Sequence, residues 1–346
     1  MIDAAVRRLC LAPPAALGGP LACGTLRTEV EDFVVDEILG FEPAGSGAHV
    51  LLRVRKRNAN TDWVAKQLAA VAGVRHFDVG FAGLKDRRAV TTQWFSVPAQ
   101  RRDAASWNGH AGEGFEVLEA HAHTRKLPRG ALAGNRFEIR VRDCDVAIDA
   151  LHERVAVIAQ RGVPNYFGPQ RFGRELGNLR FTGRGRPGGY VISAARSLIF
   201  NAVLAARVED DSWDALQTGD LANLDGSGSV FLVEQLDADL LKRVADLDLH
   251  PTGPLWGAEG TAPGAAVAHS EAAIAAGFPE SLALLEAVGA EAARRSLRLV
   301  LHALGCEQHG DCVLLKFEVR GGGFATTVLR ELFEVREAGD HDAAGS

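Results

Sequence analysis

The order of hydrophobic patterns along the 346-residue chain predicts an α+β protein. Short or alternating apolar runs, which are typical of β-strands, dominate the first part of the chain, and helical patterns dominate the middle. A strand pattern returns at Val313–Val319 and is followed by a helical one at Thr326–Phe333. Since a strand so near the end of the chain needs partners, we expect it to rejoin the first sheet after an inserted domain.

Apolar alternation and turn residues locate the strands of the first part. His49–Arg57 alternates apolar with mostly basic residues, which predicts a half-buried strand whose outer face is basic. The other predicted strands, in chain order, are Phe33–Val35, Phe77–Phe81, Trp94–Val97, Phe115–His123 and Asn135–Val141. Together they would form most of one sheet.

Further helices are predicted from apolar spacing and from residues that favour helix ends. Trp63–Ala72 follows the N-cap segment Asn60–Thr61–Asp62, and Gly73 supplies a C-terminal stop. Val146–Gln160 and Ser193–Val208 carry apolar residues at helical spacing.

Changes in composition divide the chain into segments. Residues 1–24 are rich in Ala, Pro and Gly, and we expect them to be loosely ordered. The Gly- and Arg-rich stretch after Arg161 has no clear periodicity, which indicates a functional loop leading into a second unit. We therefore predict a core formed by 25–160 and 307–337, an inserted domain at 161–306, and a disordered tail at 338–346.

Composition argues against several classes of protein. No run of 18 uncharged apolar residues occurs, and prolines and glycines interrupt the N-terminal apolar stretch, so we expect a cytoplasmic protein without a membrane span. Five scattered cysteines argue against a disulfide framework. Cys306, His309 and Cys312 lack a fourth ligand at zinc spacing, so a hairpin turn is favoured there over a metal site.

Charge is distributed unevenly. The whole chain has a formal net charge of −6, but residues 51–186 contain 24 Lys and Arg against 13 Asp and Glu. The other residues contain 14 Lys and Arg against 31 Asp and Glu. Such asymmetry is typical of a polyanion-binding face on an acidic body. The alternative is that these cations pair with acids from elsewhere in the fold.

A charged loop lies between two of the predicted strands. Asp86 is flanked by Lys85, Arg87 and Arg88, and Gly83 gives the backbone freedom for a tight exit from the preceding strand. Neighbouring cations favour an ionised carboxylate, which could act as nucleophile or base while the cations hold phosphates. The alternative is a solvated hairpin loop.

Five stretches of the chain resemble the TruD family of tRNA pseudouridine synthases. The segment from Ala82 to Trp94 is similar to the catalytic signature of that family. The other four agree in order and approximate spacing: Glu31–Val35, Gly134–Phe137, Gly162–Gly173 and Gly323–Leu332.

The resemblance implies an isomerase that converts uridine 13 of tRNA to pseudouridine. It implies a mixed, largely antiparallel sheet, an inserted α/β domain, and an RNA cleft between the two. The reaction requires the N1–C1′ bond to break and C5 to join C1′, so no metal and no other cofactor is expected. The implied partner is tRNA, with no obligatory protein partner.

The resemblance also assigns site residues. Asp86 matches the catalytic aspartate, with Lys85 or Arg27 as its partner cation, although the family usually has lysine where this chain has Arg27. Whether the carboxylate attacks C1′ or removes the 2′ proton stays open. Because an extruded base is read by stacking and by its polar edge, the substrate contacts would be Phe33, Asn135, Phe137 and Phe324.

Contacts to the RNA backbone are expected from cations near the motif strands. These are Arg55, Arg57, Lys126, Arg129 and Arg171, although an isolated surface cation is more often simply solvated. The Gly162–Gly173 stretch fits a structural role and an RNA-facing role equally well.

Two other functions agree with part of the sequence. A non-catalytic RNA-binding protein on the same scaffold would keep the basic segment but would not need Lys85 and Asp86. A small-molecule hydrolase would need a second acid near Asp86, and no carboxylate pair at helical spacing occurs there.

Overall fold

The computed structural model describes residues 2–100, 102–180 and 187–338. The strands are β1 Ala22–Leu26, β2 Phe33–Ile38, β3 His49–Arg57, β4 Gly80–Phe81, β5 Val90–Pro98, β6 Ala111–Gly112, β7 Phe115–His123, β8 Gly134–Arg142, β9 Val163–Pro164, β10 Leu221–Leu224, β11 Val230–Leu232, β12 Leu249–Leu255, β13 Ala293–Ser296, β14 Arg298–Leu299, β15 His302–His309, β16 Cys312–Arg320 and β17 Phe333–Glu337. The helices are α1 Ala4–Leu11, α2 Thr61–Ala72, α3 Ile148–Arg161, α4 Gly189–Glu209, α5 Ala238–Ala245, α6 Ala265–Ala275, α7 Pro279–Ala287 and α8 Ala325–Leu332.

The chain divides into two compact units, each assembled from separate segments. The first unit comprises the described residues of 1–21, 149–301 and 323–334. The second comprises those of 22–148, 302–322 and 335–346. The chain therefore leaves the second unit and returns to it after an insertion.

A mixed sheet forms the framework of the second unit. Its strands lie in the order β15–β16–β8–β2–β5–β3–β7–β6, and β1 and β4 pair with β8 and β5. Only β2 and β5 run parallel among these described pairs; the others are antiparallel. The mixed, largely antiparallel sheet is therefore confirmed. As predicted, β16 rejoins this sheet, and the structure places it beside β8.

Helix α2 covers part of this sheet with a single apolar face. Val64 and Leu68 are fully buried in a core that also contains Val54 of β3 and Phe95 of β5. Because residues four apart lie on the same side of a helix, this spacing is sufficient to fix which face of α2 packs inward. The helix ends at Gly73, whose φ of +65° provides the left-handed cap that was predicted.

The first unit is organised around α4, which packs against β12 and α7. A four-stranded sheet in the order β11–β10–β12–β13 contributes β12 to this contact. By length and composition alone, α4 is also apolar enough to cross a membrane. About two thirds of its apolar window, 67%, is buried inside the protein, as in the core helix of a soluble protein.

Several predicted boundaries are corrected by the structure. The segment 1–24 is not loosely ordered, since it contains α1 and the start of β1, and Cys10 of α1 is fully buried. Both α3 and α8 belong to the first unit, although they were predicted within the core segments 25–160 and 307–337. Of the predicted strand Phe77–Phe81 only β4 forms. The tail predicted to be disordered lies, after residue 338, outside the described residues.

The hairpin turn predicted at Cys306, His309 and Cys312 is confirmed. His309 of β15 pairs with Cys312 of β16, and Gly310 takes a φ of +63° in the turn between them. Within the described part of the chain, no three His, Cys, Asp or Glu side chains are grouped so that they could hold a metal ion.

Gly134 allows β8 to pass close to β16. A methyl group at this position would lie 2.3 Å from the carbonyl oxygen of Val319, a separation that Cβ atoms do not adopt. The same strand continues directly into Asn135 and Phe137, so the approach of the two strands also sets the position of those side chains.

We predict that Gly134→Ala lowers the free energy of unfolding by about 1–3 kcal/mol, because β8 and β16 must separate to accommodate the methyl group. Gly305→Ala is the matched control, since Gly305 lies in a strand of the same sheet with open space around its Cβ position. Urea unfolding of both variants measures the difference. Equal losses of stability in the two would contradict the steric explanation.

Candidate functional site

Asp86, the candidate catalytic carboxylate, lies in the loop of residues 82–89 that joins β4 to β5. We refer to this segment as the Asp86 loop. The carboxylate of Asp86 accepts a hydrogen bond from Nη2 of Arg27 at 3.0 Å, and 33% of the side chain remains exposed. A charge-assisted bond of this length orients the carboxylate and leaves part of it open to another molecule.

Arg27 is itself positioned by neighbouring groups. It follows β1 with a φ of +55°, a conformation that is costly for a residue with a side chain. Its guanidinium carbon lies 4.2 Å from the ring centre of Phe33, and Nη1 donates to the carboxylate of Glu337. A planar guanidinium can meet two carboxylates through different nitrogens while resting on a ring, which a lysine ammonium does less well.

Lys85 pairs with a different acid. Its Nζ donates to Oε2 of Glu37 in β2, and both side chains are almost completely buried. Oε1 of Glu37 accepts from the backbone N–H of Trp94 at 3.1 Å. Of the two partner cations proposed for Asp86, Arg27 therefore forms the ion pair, and Lys85 anchors the loop to the sheet.

Buried polar side chains hold the main chain of the Asp86 loop. Oγ1 of Thr61 accepts from the N–H of Lys85 at 3.0 Å and donates to Oε1 of Gln93 at 2.9 Å. Nε2 of Gln93 in turn donates to the carbonyl of Gly83 at 3.2 Å. Asn60, predicted in the N-cap segment, occupies the cap position of α2 without a side-chain capping bond.

Lys56 lies in β3 and is 1% exposed. Its Nζ donates to the carbonyl oxygens of Ala59 and Asp86, each at 2.8 Å. Burial lowers the pKa of this amino group from 10.5 to about 8, an effect that the charge of Asp86 partly offsets. The basic outer face predicted for β3 therefore does not include Lys56.

Strand β8 carries two of the predicted substrate contacts. Asn135 lies opposite Glu37 of β2, and its Oδ1 is buried with no hydrogen-bond partner among the described residues. Phe137 meets Phe33 edge-on, with ring centres 6.1 Å apart, and both rings are largely buried. Because a buried acceptor without a partner is unfavourable, the Asn135 amide is suited to accept a hydrogen bond from a ligand.

Comparison with known proteins identifies the family of the chain. The family described as tRNA pseudouridine synthase D (TruD) matches residues 17–185 and 190–332. The chain belongs to the TruD family. It is accordingly an isomerase of the pseudouridine synthase class.

Curated relatives match nearly the whole chain. Proteins named tRNA pseudouridine synthase D are 46% identical in Methylococcus capsulatus, covering 93% of this chain and 94% of the relative, and 44% identical in Chromohalobacter salexigens, covering 93% and 96%. The protein of that name in Xanthomonas oryzae is 42% identical, covering 95% and 96%.

A solved structure supports the TruD fold. A crystal structure from Methanosarcina mazei assigned to tRNA pseudouridine synthase D (TruD) has a TM-score of 0.69 and 20% sequence identity with this chain. The match covers 96% of this chain and 98% of that one. At this level of identity the similarity concerns the fold.

The site residues suggested by the TruD resemblance lie in both units. Six of them are in the second unit, where the contacts described above link them: Arg27, Phe33, Lys85, Asp86, Asn135 and Phe137. Phe324 is in the first unit, at the N-terminus of α8, with its ring centre 6.1 Å from that of Phe167.

The aromatic TruD motif Gly162–Gly173 forms part of the core of the first unit. Tyr166, Phe167 and Phe172 are all buried there, which favours a structural role over an RNA-facing one for these rings. Nη1 of Arg171 donates to Oγ of Ser193 at 2.9 Å, and burial lowers the pKa of its guanidinium.

The cations expected to contact RNA differ in how far their charge is compensated. Arg55 pairs with Glu116 and Arg57 with Glu31, as the alternative interpretation of the charge asymmetry predicted. Lys126 and Arg129 are exposed, and neither pairs with a carboxylate of the described residues; Lys126 donates to a backbone carbonyl and Arg129 lies over the ring of Phe81.

Four residues that shape the loop were not identified as site residues from sequence: Glu37, Lys56, Thr61 and Gln93. Each is buried, although polar residues of these types are usually exposed. Lys56 lies within the predicted strand His49–Arg57, Glu37 and Gln93 lie just outside the predicted strands, and Thr61 was assigned to a helix cap. The one available signal was for Lys56, which continues the inward face of Val50, Leu52 and Val54.

The buried amino group of Lys56 should make stability depend on pH. Between about pH 8 and 10.5 the unfolded chain keeps this proton and the folded protein releases it, so the free energy of unfolding rises with pH in this window. We predict that the difference in unfolding free energy between wild type and Lys56→Met rises across it by at most about 3 kcal/mol.

Urea unfolding of both proteins at several pH values measures this difference, in which the titration of the other groups cancels. A difference that stays constant through the window would show that Lys56 keeps an ordinary pKa.

Proposed function

We propose that the protein isomerises uridine 13 of tRNA to pseudouridine, with the carboxylate of Asp86 as the catalytic group. The observation that carries this proposal is the partly exposed Asp86 carboxylate, oriented by Arg27 on a loop whose main chain is anchored by buried side chains. Curated relatives named tRNA pseudouridine synthase D support tRNA as the substrate. The choice of uridine 13 rests on the family resemblance of the motifs.

The central requirement of the reaction is an ionised carboxylate held beside the sugar or the base. Uracil leaves C1′ at N1, turns, and rejoins at C5, so that C5 loses a proton and N1 gains one without any change in oxidation state. Attack at C1′ and removal of the 2′ proton both begin from an ionised carboxylate. The Arg27 guanidinium stabilises that negative charge, and the exposed third of Asp86 leaves access to the sugar.

Contacts to the base would come from the neighbouring strand. A uridine extruded from the RNA offers the N3–H as a hydrogen-bond donor and its ring faces for stacking. The unpartnered Oδ1 of Asn135 is suited to accept from such a donor. Phe33 and Phe137 are mostly buried, so only the exposed fractions of their rings would meet the base.

Binding of the RNA backbone would rely on cations whose charge is not already neutralised. Lys126 and Arg129 form no ion pair with a described carboxylate, and they line a depression of about 520 Å³ together with Asp62, His76 and Phe77. Arg55 and Arg57 already pair with acids, so a phosphate would have to compete with those carboxylates.

We predict that Asp86→Asn makes no measurable pseudouridine, because the amide keeps the size of the side chain but loses the negative charge. Its affinity for tRNA should change by less than about tenfold, or about 1.4 kcal/mol. In-vitro transcribed tRNA carrying uridine 13 is incubated with each protein, and pseudouridine is mapped by position.

Asp149→Asn, in the exposed first turn of α3, controls for the substitution itself and should retain wild-type activity. Pseudouridine formed by Asp86→Asn at the wild-type rate would remove Asp86 from the mechanism. Modification by wild type at another position only would refute the choice of uridine 13.

We predict that replacing Lys126 and Arg129 together by Gln weakens tRNA binding and lowers the slope of log affinity against log salt by about one per lost phosphate contact. The Arg55→Gln, Arg57→Gln double variant is the matched control, since it removes the same charge from cations that are already paired. It should change the slope less.

Binding is measured by filter retention of labelled tRNA over a range of salt concentrations, with pseudouridine mapping as a second readout. The modified position should stay the same in both double variants, because phosphate contacts carry no base identity. A larger effect from the Arg55 and Arg57 pair would place the RNA backbone on the other side of β3.

A further inference from the structure

Lys56 is a buried lysine without a carboxylate partner. It is 1% exposed, and none of the described carboxylates lies within ion-pair distance of its Nζ. Strands on both sides of β3 present uncharged residues to it, Thr91 of β5 and Phe115 of β7. Burying an ammonium group without a counter-ion costs free energy. Its presence at this position therefore calls for a functional explanation.

The hydrogen bonds of Lys56 connect two segments that are far apart in sequence. Nζ reaches the carbonyl of Ala59, the residue before the N-cap of α2, and the carbonyl of Asp86, the proposed catalytic residue. The charged groups whose fields act on the amino group are the carboxylate of Asp86 and the ammonium of Lys85, both on the Asp86 loop. Lys56 thus touches the main chain of Asp86 and also interacts electrostatically with its side chain.

Holding the loop would not by itself require a charged residue. Thr61 and Gln93 fix the main chain at Lys85 and Gly83 with neutral hydroxyl and amide groups. A neutral side chain could also donate to the two carbonyls that Lys56 reaches. What lysine adds at this position is a positive charge next to the carboxylate, in a region of low dielectric where such a charge acts strongly.

We propose that Lys56 is a positioning residue for the isomerisation, whose buried ammonium group fixes the main chain of Asp86 and stabilises the negative charge of its side chain. This inference rests on the proposed role of Asp86. It assigns to Lys56 a function in the chemical step and none in binding tRNA, because an almost fully buried side chain cannot reach a phosphate.

The test compares wild type, Lys56→Met and Lys56→Arg in single-turnover reactions with in-vitro transcribed tRNA at several values between about pH 6.5 and 9.5. Lys66→Met is the matched control, since Lys66 is an exposed lysine of α2. Thermal unfolding and tRNA affinity are measured for each protein at every pH, so that loss of fold or of binding is seen separately.

We expect Lys56→Met to bind tRNA like wild type but to react at least about tenfold more slowly at neutral pH. The ratio of wild-type to Lys56→Met rates should fall as the pH passes about 8, where the wild-type amino group loses its charge. The Lys66→Met control should react like wild type at every pH.

Two results would overturn the inference. The first is a Lys56→Met rate within about threefold of wild type, and the second is a slower rate whose ratio to wild type does not change with pH. If Lys56→Met does not fold, Lys56→Arg carries the test, because a guanidinium stays charged throughout this range. Its rate should then lack the wild-type decrease near pH 8, and the same decrease in Lys56→Arg would equally overturn the inference.

Failure of the proposed function would look different. An inactive wild type, or an active Asp86→Asn, contradicts the role of Asp86 whatever Lys56 does. A normal Lys56→Met beside an active wild type and an inactive Asp86→Asn removes only Lys56.

Discussion

Hydrogen bonds from buried side chains to the main chain of the Asp86 loop are the interaction on which the candidate site depends. The loop is neither helix nor strand, so much of its backbone has no regular partner and must be satisfied in another way. Lys56, Thr61 and Gln93 supply those partners from β3, α2 and β5. The loop can therefore present ionic side chains without losing a defined shape.

The position of β2 in the sheet explains how distant segments meet at this loop. It lies between β8 and β5, antiparallel to the first and parallel to the second. Phe33 at the start of β2 supports Arg27, and Glu37 near its end holds Lys85. Strand β2 thus positions both candidate partners of Asp86. Arg27 forms the ion pair with Asp86, and Lys85 anchors the loop to the sheet.

Ion pairing leaves residues 51–186 with fewer available cations than their net charge suggests. Several arginines in this segment neutralise acids on other strands of the sheet, as Arg53 of β3 does with Asp36 of β2 and Glu119 of β7. Such pairs at a partly exposed surface contribute little to stability, but they remove cations from the set that can attract a polyanion. Lys126 and Arg129 form no ion pair with a described carboxylate, although Asp78 lies close enough for its charge to interact with that of Lys126.

Sequence alone determined the elements whose pattern is local and the motif that identifies the family. His49–Arg57 and Phe115–His123 were predicted to the residue, since alternation and turn residues are properties of a short window. Asp86 was singled out because its neighbours in sequence are charged. Only the tertiary structure decided that Arg27 forms the ion pair, that Nζ of Lys56 reaches the main chain of Asp86, and that α1, α3 and α8 belong to the first unit. Those outcomes depend on which segments become neighbours, and no local pattern encodes a contact whose partner lies tens of residues away.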